Sequence, residues 1–221
     1  MMNSVQRIGG IAALIMATTY LVGFAVFFMV LNPGGPLDPV EKVAFLAENE
    51  LVTYITMLFL YVVGGFSLIV LVQALYERMK VEAPALMLTT AVLGFIWCGV
   101  VIAAGMIYII GMDTVIELFE NDSAQASSVW LTVQIVFEGL GGGTEIIGGV
   151  WSLLISWTAL QQRQFPKTAC YLGLVVGVAG VITIVPALED FTAIFGLGQI
   201  PWFICLGFVL LQDKTSATAS T

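Results

Sequence analysis

Histidine is absent from this chain of 221 residues, and charged residues make up only 10% of it. Without histidine there can be no His-ligated haem, no His-type zinc site and no Ser-His or Cys-His catalytic pair. Soluble domains carry roughly 25% charged residues, whereas this chain is 59% hydrophobic. It has too little polar surface for a water-exposed globule, and we expect it to lie in a lipid bilayer.

Cysteine is also scarce, with three residues and no Cys-x-x-Cys spacing. The sequence therefore supports neither a disulfide framework nor a thiolate metal site, and it predicts no cofactor and no bound metal. The net charge of −8 argues against nucleic acid as a partner.

What the chain has in abundance is long apolar segments, and a membrane-crossing helix needs about 20 such residues. Six segments qualify: residues 8–31, 51–75, 84–111, 129–160, 168–188 and 193–211. They predict an all-α, polytopic membrane bundle of six transmembrane helices. We expect one transmembrane domain over residues 1–212, followed by a disordered cytoplasmic tail over residues 213–221.

The basic residues predict the orientation of these spans. If successive spans cross the membrane in opposite directions, six of the seven basic residues lie on the same side of it, namely Arg7, Arg78, Lys80, Arg163, Lys167 and Lys214. Only Lys42 lies on the other side, together with most of the acidic residues. By the positive-inside rule both termini are cytoplasmic, in a multi-pass protein of the cell's inner or plasma membrane.

Short amphipathic helices are predicted in two outer loops. Asp38-Pro39-Val40-Glu41 is a capping box with proline at the first helical position. Residues 113–120 alternate acidic and apolar side chains in a similar way. Asp122 could then cap the fourth helix before it enters the hydrocarbon.

The fourth span carries two acidic residues, Glu138 and Glu145. Each costs at least about 2.5 to 3.5 kcal/mol at a helix centre on insertion scales, so both need a physical reason. In a continuous helix their spacing of seven places them on one face, with Gln134 and Gly141. No lysine or arginine lies within any predicted span, so we expect both acids to be neutral and hydrogen-bonded. Either each acid donates one hydrogen bond between helices, or the acids exchange a proton or a cation when water reaches them, or they line a ligand or lipid pocket.

Candidate partners for these acids come from several spans. Val-Val-Gly-Gly-Phe at residues 62–66 matches Ile-Ile-Gly-Gly-Val at residues 146–150, which suggests that the second and fourth spans are related repeats. In such a repeat Glu138 and Glu145 occupy the positions of Tyr54 and Tyr61. The candidates are Tyr54, Tyr61, Gln134, Thr144 and Gln199. Gln199, close to Pro201, either faces Glu145 across the bundle or is satisfied locally, and we expect the second.

Glycines form a cluster in the same span. They allow close packing between helices, or they break the helix where irregular backbone lines a cavity. We expect close packing. The packing candidates are Gly141, Gly142, Gly148, Gly149, Gly173 and Gly177, and such faces also suit a homo-oligomer contact.

Over nearly its full length the chain resembles a family of small, six-span bacterial membrane proteins whose shared domain has no assigned function. The resemblance rests on four motifs: Arg-Ile-Gly-Gly at residues 7–10, Glu-Lys-Val-Ala-Phe-Leu at 41–46, Ala-Leu-Tyr-Glu-Arg at 74–78, and Glu-Gly-Leu-Gly-Gly-Gly-Thr-Glu-Ile-Ile-Gly-Gly at 138–149. It implies the six-span fold and carries over no catalytic residue.

Three hypotheses for the function remain. The first is a small proton- or cation-linked transporter or channel-like protein that uses Glu138 and Glu145. The second is a structural or accessory subunit that packs beside a larger membrane complex. The third, an enzyme, has the poorest support, because two isolated carboxyl groups without histidine or a metal are poorly suited to general acid-base catalysis.

Overall fold

The computed structural model describes residues 4–142, 145–188 and 190–212, and within these ranges it is helical with no strand. The α-helices are α1 (Ser4–Met29), α2 (Pro39–Glu48), α3 (Glu50–Met57), α4 (Gly64–Met79), α5 (Pro84–Phe119), α6 (Ser123–Phe137), α7 (Ile146–Gln161), α8 (Lys167–Ile182) and α9 (Phe191–Leu211). A π-helical turn, Leu58–Val63, joins α3 to α4, and a second, Glu138–Gly142, follows α6.

Among the described residues, four helical segments are long and apolar enough to cross a membrane: Ser4–Met29, Glu50–Met79, Pro84–Phe119 and Phe191–Leu211. Together with the low content of charged residues, these helices indicate a membrane protein. The other two predicted spans differ from expectation. The fourth is divided between α6 and α7, and the fifth, α8, has 16 residues.

The fifth segment is shorter than predicted because Pro186 lacks a backbone N–H and disfavours helical conformation in the residue before it. Helix α8 therefore ends at Ile182, and a 3-10 turn, Pro186–Leu188, follows after a bend.

One of the two outer amphipathic helices is present. Helix α2 begins with the predicted capping box, in which the Asp38 carboxylate accepts the Val40 and Glu41 N–H groups at 2.8 and 2.9 Å. The separate helix expected over residues 113–120 is wrong, because no helix breaker follows Gly111 and α5 continues to Phe119. Asp122 caps α6 as predicted, by accepting the N–H of Gln125 at 2.9 Å.

The bundle has two apolar cores. The larger lies among α1, α4, α5, α7, α8 and α9, with Trp97, Trp151, Phe195 and Trp202 almost fully buried in it. The smaller packs α2 onto the ends of α5 and α6 through Val43, Leu46, Met112, Val115, Ala126 and Trp130. Large apolar side chains are exposed on the outside of the helices, as a lipid-facing surface requires: Leu21, Leu88, Leu131, Val175 and Phe208 are examples.

Candidate functional site

The fourth apolar segment is broken next to Glu145. Within the π-helical turn Glu138–Gly142, Gly141 has φ of 108°, a left-handed conformation that glycine adopts without the steric cost of a Cβ atom. Helix α7 starts again at Ile146, and Glu145 is the residue just before it. The carboxyl group is thus attached to irregular backbone at the start of a helix.

Helix α8 holds this break in place. The backbone N–H of Glu145 donates to the Thr183 hydroxyl at 2.9 Å, and that hydroxyl donates to the Gly180 carbonyl at 2.7 Å. Thr183 is buried. The N–H at the start of α7, which has no partner within its own helix, is therefore satisfied by the neighbouring helix.

The glycine cluster splits into two groups with different roles. A Cβ added to Gly139 or Gly141 would meet nothing within 4 Å. A Cβ on Gly149 would lie 2.6 Å from the Val181 nitrogen, and one on Gly148 would lie 2.5 Å from the Trp97 ring. The expectation of close packing therefore holds for the later glycines, whereas Gly141 breaks the helix beside a cavity.

Two further predicted packing glycines lie on α8. A Cβ on Gly177 would be 2.8 Å from the Gly149 carbonyl oxygen, and one on Gly173 would overlap Ser156. Helices α7 and α8 therefore approach each other through their backbones.

A cavity of about 170 Å³ lies beside the break. Glu145 and Gly141 line it, together with residues of α1, the first π-helical turn, α5 and α9. Its walls are mostly apolar and aromatic: Tyr20, Phe24, Phe27, Leu60, Tyr61, Trp97 and Val101 are examples. Glu145 is the only charged residue among the described residues that line it.

This lining decides which chemistry the cavity can support. An ionised carboxylate with no cationic neighbour in an apolar site is unfavourable, so Glu145 requires either a proton or a bound cation. Over the part of the chain that the structure describes, no three His, Cys, Asp or Glu residues lie close enough to hold a metal ion.

Of the predicted partners that the structure describes, only Tyr61 lines the same cavity as Glu145. Glu138 is exposed and does not line the cavity. The prediction that it shares a face with Glu145 requires a continuous helix, whereas the chain breaks at Gly141. Gln134 is half-buried and Tyr54 is 42% exposed, and neither lines the cavity. Thr144 lies outside the described residues.

Gln199 is fully buried at a different place. Its Nε2 atom donates to the Ser152 hydroxyl at 3.2 Å, which links α9 to α7. It does not line the cavity. Its amide oxygen, Oε1, has no hydrogen-bond partner among the described residues, so the amide that we expected to be satisfied locally is satisfied only at its nitrogen, and by a different helix.

Several residues of the site were not predicted from the sequence. Tyr20 and Trp97 line the cavity, and Thr183 supports the break. A hydroxyl-bearing aromatic residue within the first span was a usable signal for Tyr20. Nothing in the sequence places Thr183 beside Glu145, which is 38 residues away.

No protein-family model, no curated protein and no solved structure matches the chain. The site must therefore be interpreted from its own geometry.

Proposed function

We propose that this protein binds a small organic cation in the cavity beside Glu145 and exchanges it for a proton on that carboxyl group. It would act as a proton- or cation-linked transporter. The observation that carries the proposal is the position of Glu145, the single charged side chain described in an otherwise apolar and aromatic cavity. The exchange balances charge, since one proton leaves the carboxyl as one monovalent cation binds.

The cavity walls favour an organic cation over a metal ion. Sodium and divalent ions require several oxygen ligands in place of their hydration shell, whereas this cavity offers mainly rings and alkyl groups. Tyrosine and tryptophan rings attract ammonium groups through their electron-rich faces. The volume of about 170 Å³ is close to the roughly 150 Å³ of an engineered cavity that accepts benzene.

The proposed orientation follows the basic residues. With α6–α7 and α8 as the fourth and fifth crossings, the chain spans the plasma membrane six times and both termini are cytoplasmic. A broken helix at membrane depth is tolerated where it is buried in protein or lines a cavity, and the break at Gly141 does line one.

Binding of benzylammonium to the purified protein in neutral detergent tests the proposal, with isothermal titration calorimetry as the measurement. We expect wild-type protein to bind benzylammonium and not its uncharged analogue benzyl alcohol. Glu145→Gln should abolish binding, because the amide keeps the shape and removes the negative charge. Affinity should rise with pH while benzylammonium stays charged, because cation and proton compete for one carboxylate.

Glu138→Gln is the matched control, since it makes the same change in the same segment at a residue that does not line the cavity. It should bind benzylammonium as wild type does. Equal binding by wild type and Glu145→Gln would contradict the proposal.

Transport itself requires proteoliposomes. Benzylammonium efflux driven by an imposed proton gradient should occur with wild type and Glu138→Gln and be absent with Glu145→Gln. If neither binding nor flux depends on Glu145, the alternative of a structural or accessory subunit becomes the better hypothesis. Gentle extraction should then recover the chain as a homo-oligomer or with the subunits of a larger complex.

A further inference from the structure

Two tyrosines line the cavity beside Glu145 together with its carboxyl group. Tyr20 lies on α1 and Tyr61 on the π-helical turn Leu58–Val63, so the two side chains reach the cavity from different elements. Both tyrosines interact electrostatically with Glu145, and Tyr20 also interacts with Tyr61 in this way. The fold therefore brings together three oxygen-bearing groups that are far apart in the sequence.

Tyr61 is held in place by two neighbouring elements. An added Cβ on Gly105 of α5 would overlap the Tyr61 side chain, so this glycine leaves the space that the tyrosine fills. The centre of the Tyr61 ring lies 5.2 Å from that of Phe137, the last residue of α6. Single π-helical turns within helices are frequent at functional sites, and this one carries a cavity-lining side chain.

Tyr20 is held in place by α9. The centre of its ring lies 6.0 Å from that of Phe203, which is fully buried. An added Cβ on Gly196, which also lines the cavity, would lie 3.9 Å from the Tyr20 ring. The positions of both tyrosines are thus set by packing within the protein, which lowers the cost of ordering them when a ligand binds.

These three groups match the hydrogen-bonding capacity of a primary ammonium group. Such a group has three N–H donors and no acceptor, as in lysine, whereas a tyrosine hydroxyl accepts a hydrogen bond as well as donating one. The carboxylate of Glu145 and the hydroxyls of Tyr20 and Tyr61 can each accept one N–H. A quaternary ammonium group has no N–H and leaves these oxygens without a donor from the ligand, which is unfavourable in an apolar site.

The size of the cavity favours the same class of cation. Its volume of about 170 Å³ is little more than the roughly 150 Å³ of an engineered cavity that accepts benzene. One ring and a small head group fit, whereas three N-methyl groups would need space that a close-packed interior yields only with strain. The walls at Phe24, Leu60 and Trp97 suit the apolar part of such a ligand.

On the basis of the proposed cation binding at Glu145, we propose that the site selects primary ammonium compounds that carry one compact apolar or aromatic group. Tyr20 and Tyr61 determine this selectivity, because their hydroxyls accept N–H hydrogen bonds from the ammonium group. Hydrogen bonds with one charged partner are roughly twice as strong as those between neutral groups, so two such bonds distinguish a primary from a quaternary cation.

The experiment compares benzylammonium with benzyltrimethylammonium as ligands of the full-length protein in neutral detergent, measured by isothermal titration calorimetry. Both probes are cations at neutral pH, and they differ only in the three hydrogens or three methyl groups on the nitrogen. We expect wild type to bind benzylammonium more than about tenfold more tightly, since N–H hydrogen bonds to Tyr20 and Tyr61 are available to this probe alone.

Tyr20→Phe and Tyr61→Phe each remove one hydroxyl and keep the ring. Each should weaken benzylammonium binding by about tenfold, the loss expected for one hydrogen bond to a charged group, and leave the affinity for benzyltrimethylammonium and the midpoint of thermal unfolding unchanged. A purely structural role would weaken the binding of both probes alike. Tyr108→Phe is the matched control, because Tyr108 also packs against Phe137 and does not line the cavity, and it should bind both probes as wild type does.

The outcomes separate this selectivity from cation binding itself. If wild type binds both probes equally, or the quaternary one more tightly, and Glu145→Gln abolishes both, the selectivity is overturned and the cation site at Glu145 stands. Unchanged affinity for benzylammonium in both tyrosine variants would overturn the roles of Tyr20 and Tyr61. Binding of benzylammonium that does not depend on Glu145 would overturn the proposed function as well.

Discussion

Gly141 is the residue on which the geometry of the candidate site depends. Its φ of 108° interrupts the helix shortly before Glu145, which lines the cavity, whereas Gly139, two residues earlier, has no such φ. A Cβ at either residue would meet nothing within 4 Å. Substitutions at the two glycines therefore distinguish a requirement for the left-handed backbone conformation from a requirement for free space around the residue.

We predict that Gly141→Ala lowers the free energy of unfolding by about 1 to 2 kcal/mol, the cost of the left-handed conformation for a residue with a Cβ. Gly139→Ala should be neutral or stabilise by up to about 1 kcal/mol, because alanine restricts the unfolded chain. Unfolding of both variants by sodium dodecyl sulfate in mixed micelles measures the difference. Equal effects of the two substitutions would show that the break does not need glycine at residue 141.

Part of the site could be predicted from individual residues. A carboxyl group in an apolar segment stands out in the sequence, which is why Glu145 is predictable as a site residue. The same reasoning places Glu138 beside it only in a regular helix, and one left-handed glycine removes that regularity. Trp97 and Thr183 are distant in the sequence from Glu145, so only the packing of the helices shows that they belong to the same site.

The pairing of α7 with α8 shows how elements pack where glycines remove side chains from the interface. Gly149, Gly177 and Gly180 bring the two backbones so close that an added Cβ on Gly149 would lie 2.8 Å from the Gly177 oxygen and the Gly180 carbonyl carbon. Backbone atoms cannot move aside as a flexible side chain can.

At this scale we predict that Gly149→Ala destabilises the protein by about 1 to 3 kcal/mol, as overpacking does in other cores. Gly99→Ala is the control: Gly99 lies on the exposed side of α5, where an added Cβ meets nothing within 4 Å. This substitution should leave the stability unchanged or raise it slightly, because alanine has a higher helix propensity than glycine. Thermal unfolding in detergent measures both, and a similar midpoint for the two variants would contradict the close approach of α7 and α8.

The ends of the elements were predictable where a local signal exists. The Asp38 capping box, Pro84 at the start of α5 and the Asp122 cap all lie where the sequence indicates. The two π-helical turns have no such signal. The first directly precedes Gly64 and Gly65, whereas the second ends at Gly142, six residues before Gly148, so the two turns do not lie at matching positions of the second and fourth segments.

At the scale of the whole molecule, contacts place several helix ends together. Gln6 and Arg78 are hydrogen-bonded, Gln162 donates to the Met79 carbonyl, and Arg78 lies over Phe165. The start of α1, the end of α4 and the loop between α7 and α8 therefore share one end of the bundle. The basic residues alone predict this grouping, because lysine and arginine are enriched in the loops on one side of a membrane protein.

Lys167 distinguishes six crossings from four. If only the four longest apolar helices cross the membrane, residues 120–190 lie outside the cell. Six crossings instead place Lys167 in the cytoplasm. Arg7 and Lys42 lie on the same sides of the membrane in both topologies. We predict that Lys167→Cys, in a background without Cys98, Cys170 and Cys205, reacts with a membrane-impermeant maleimide only after the cells are permeabilised. Lys42→Cys should react in intact cells and Arg7→Cys should not, which controls for access and for leakage. Labelling of Lys167→Cys in intact cells would establish that α6, α7 and α8 do not cross in sequence, and the cavity beside Glu145 would then need a different position relative to the membrane.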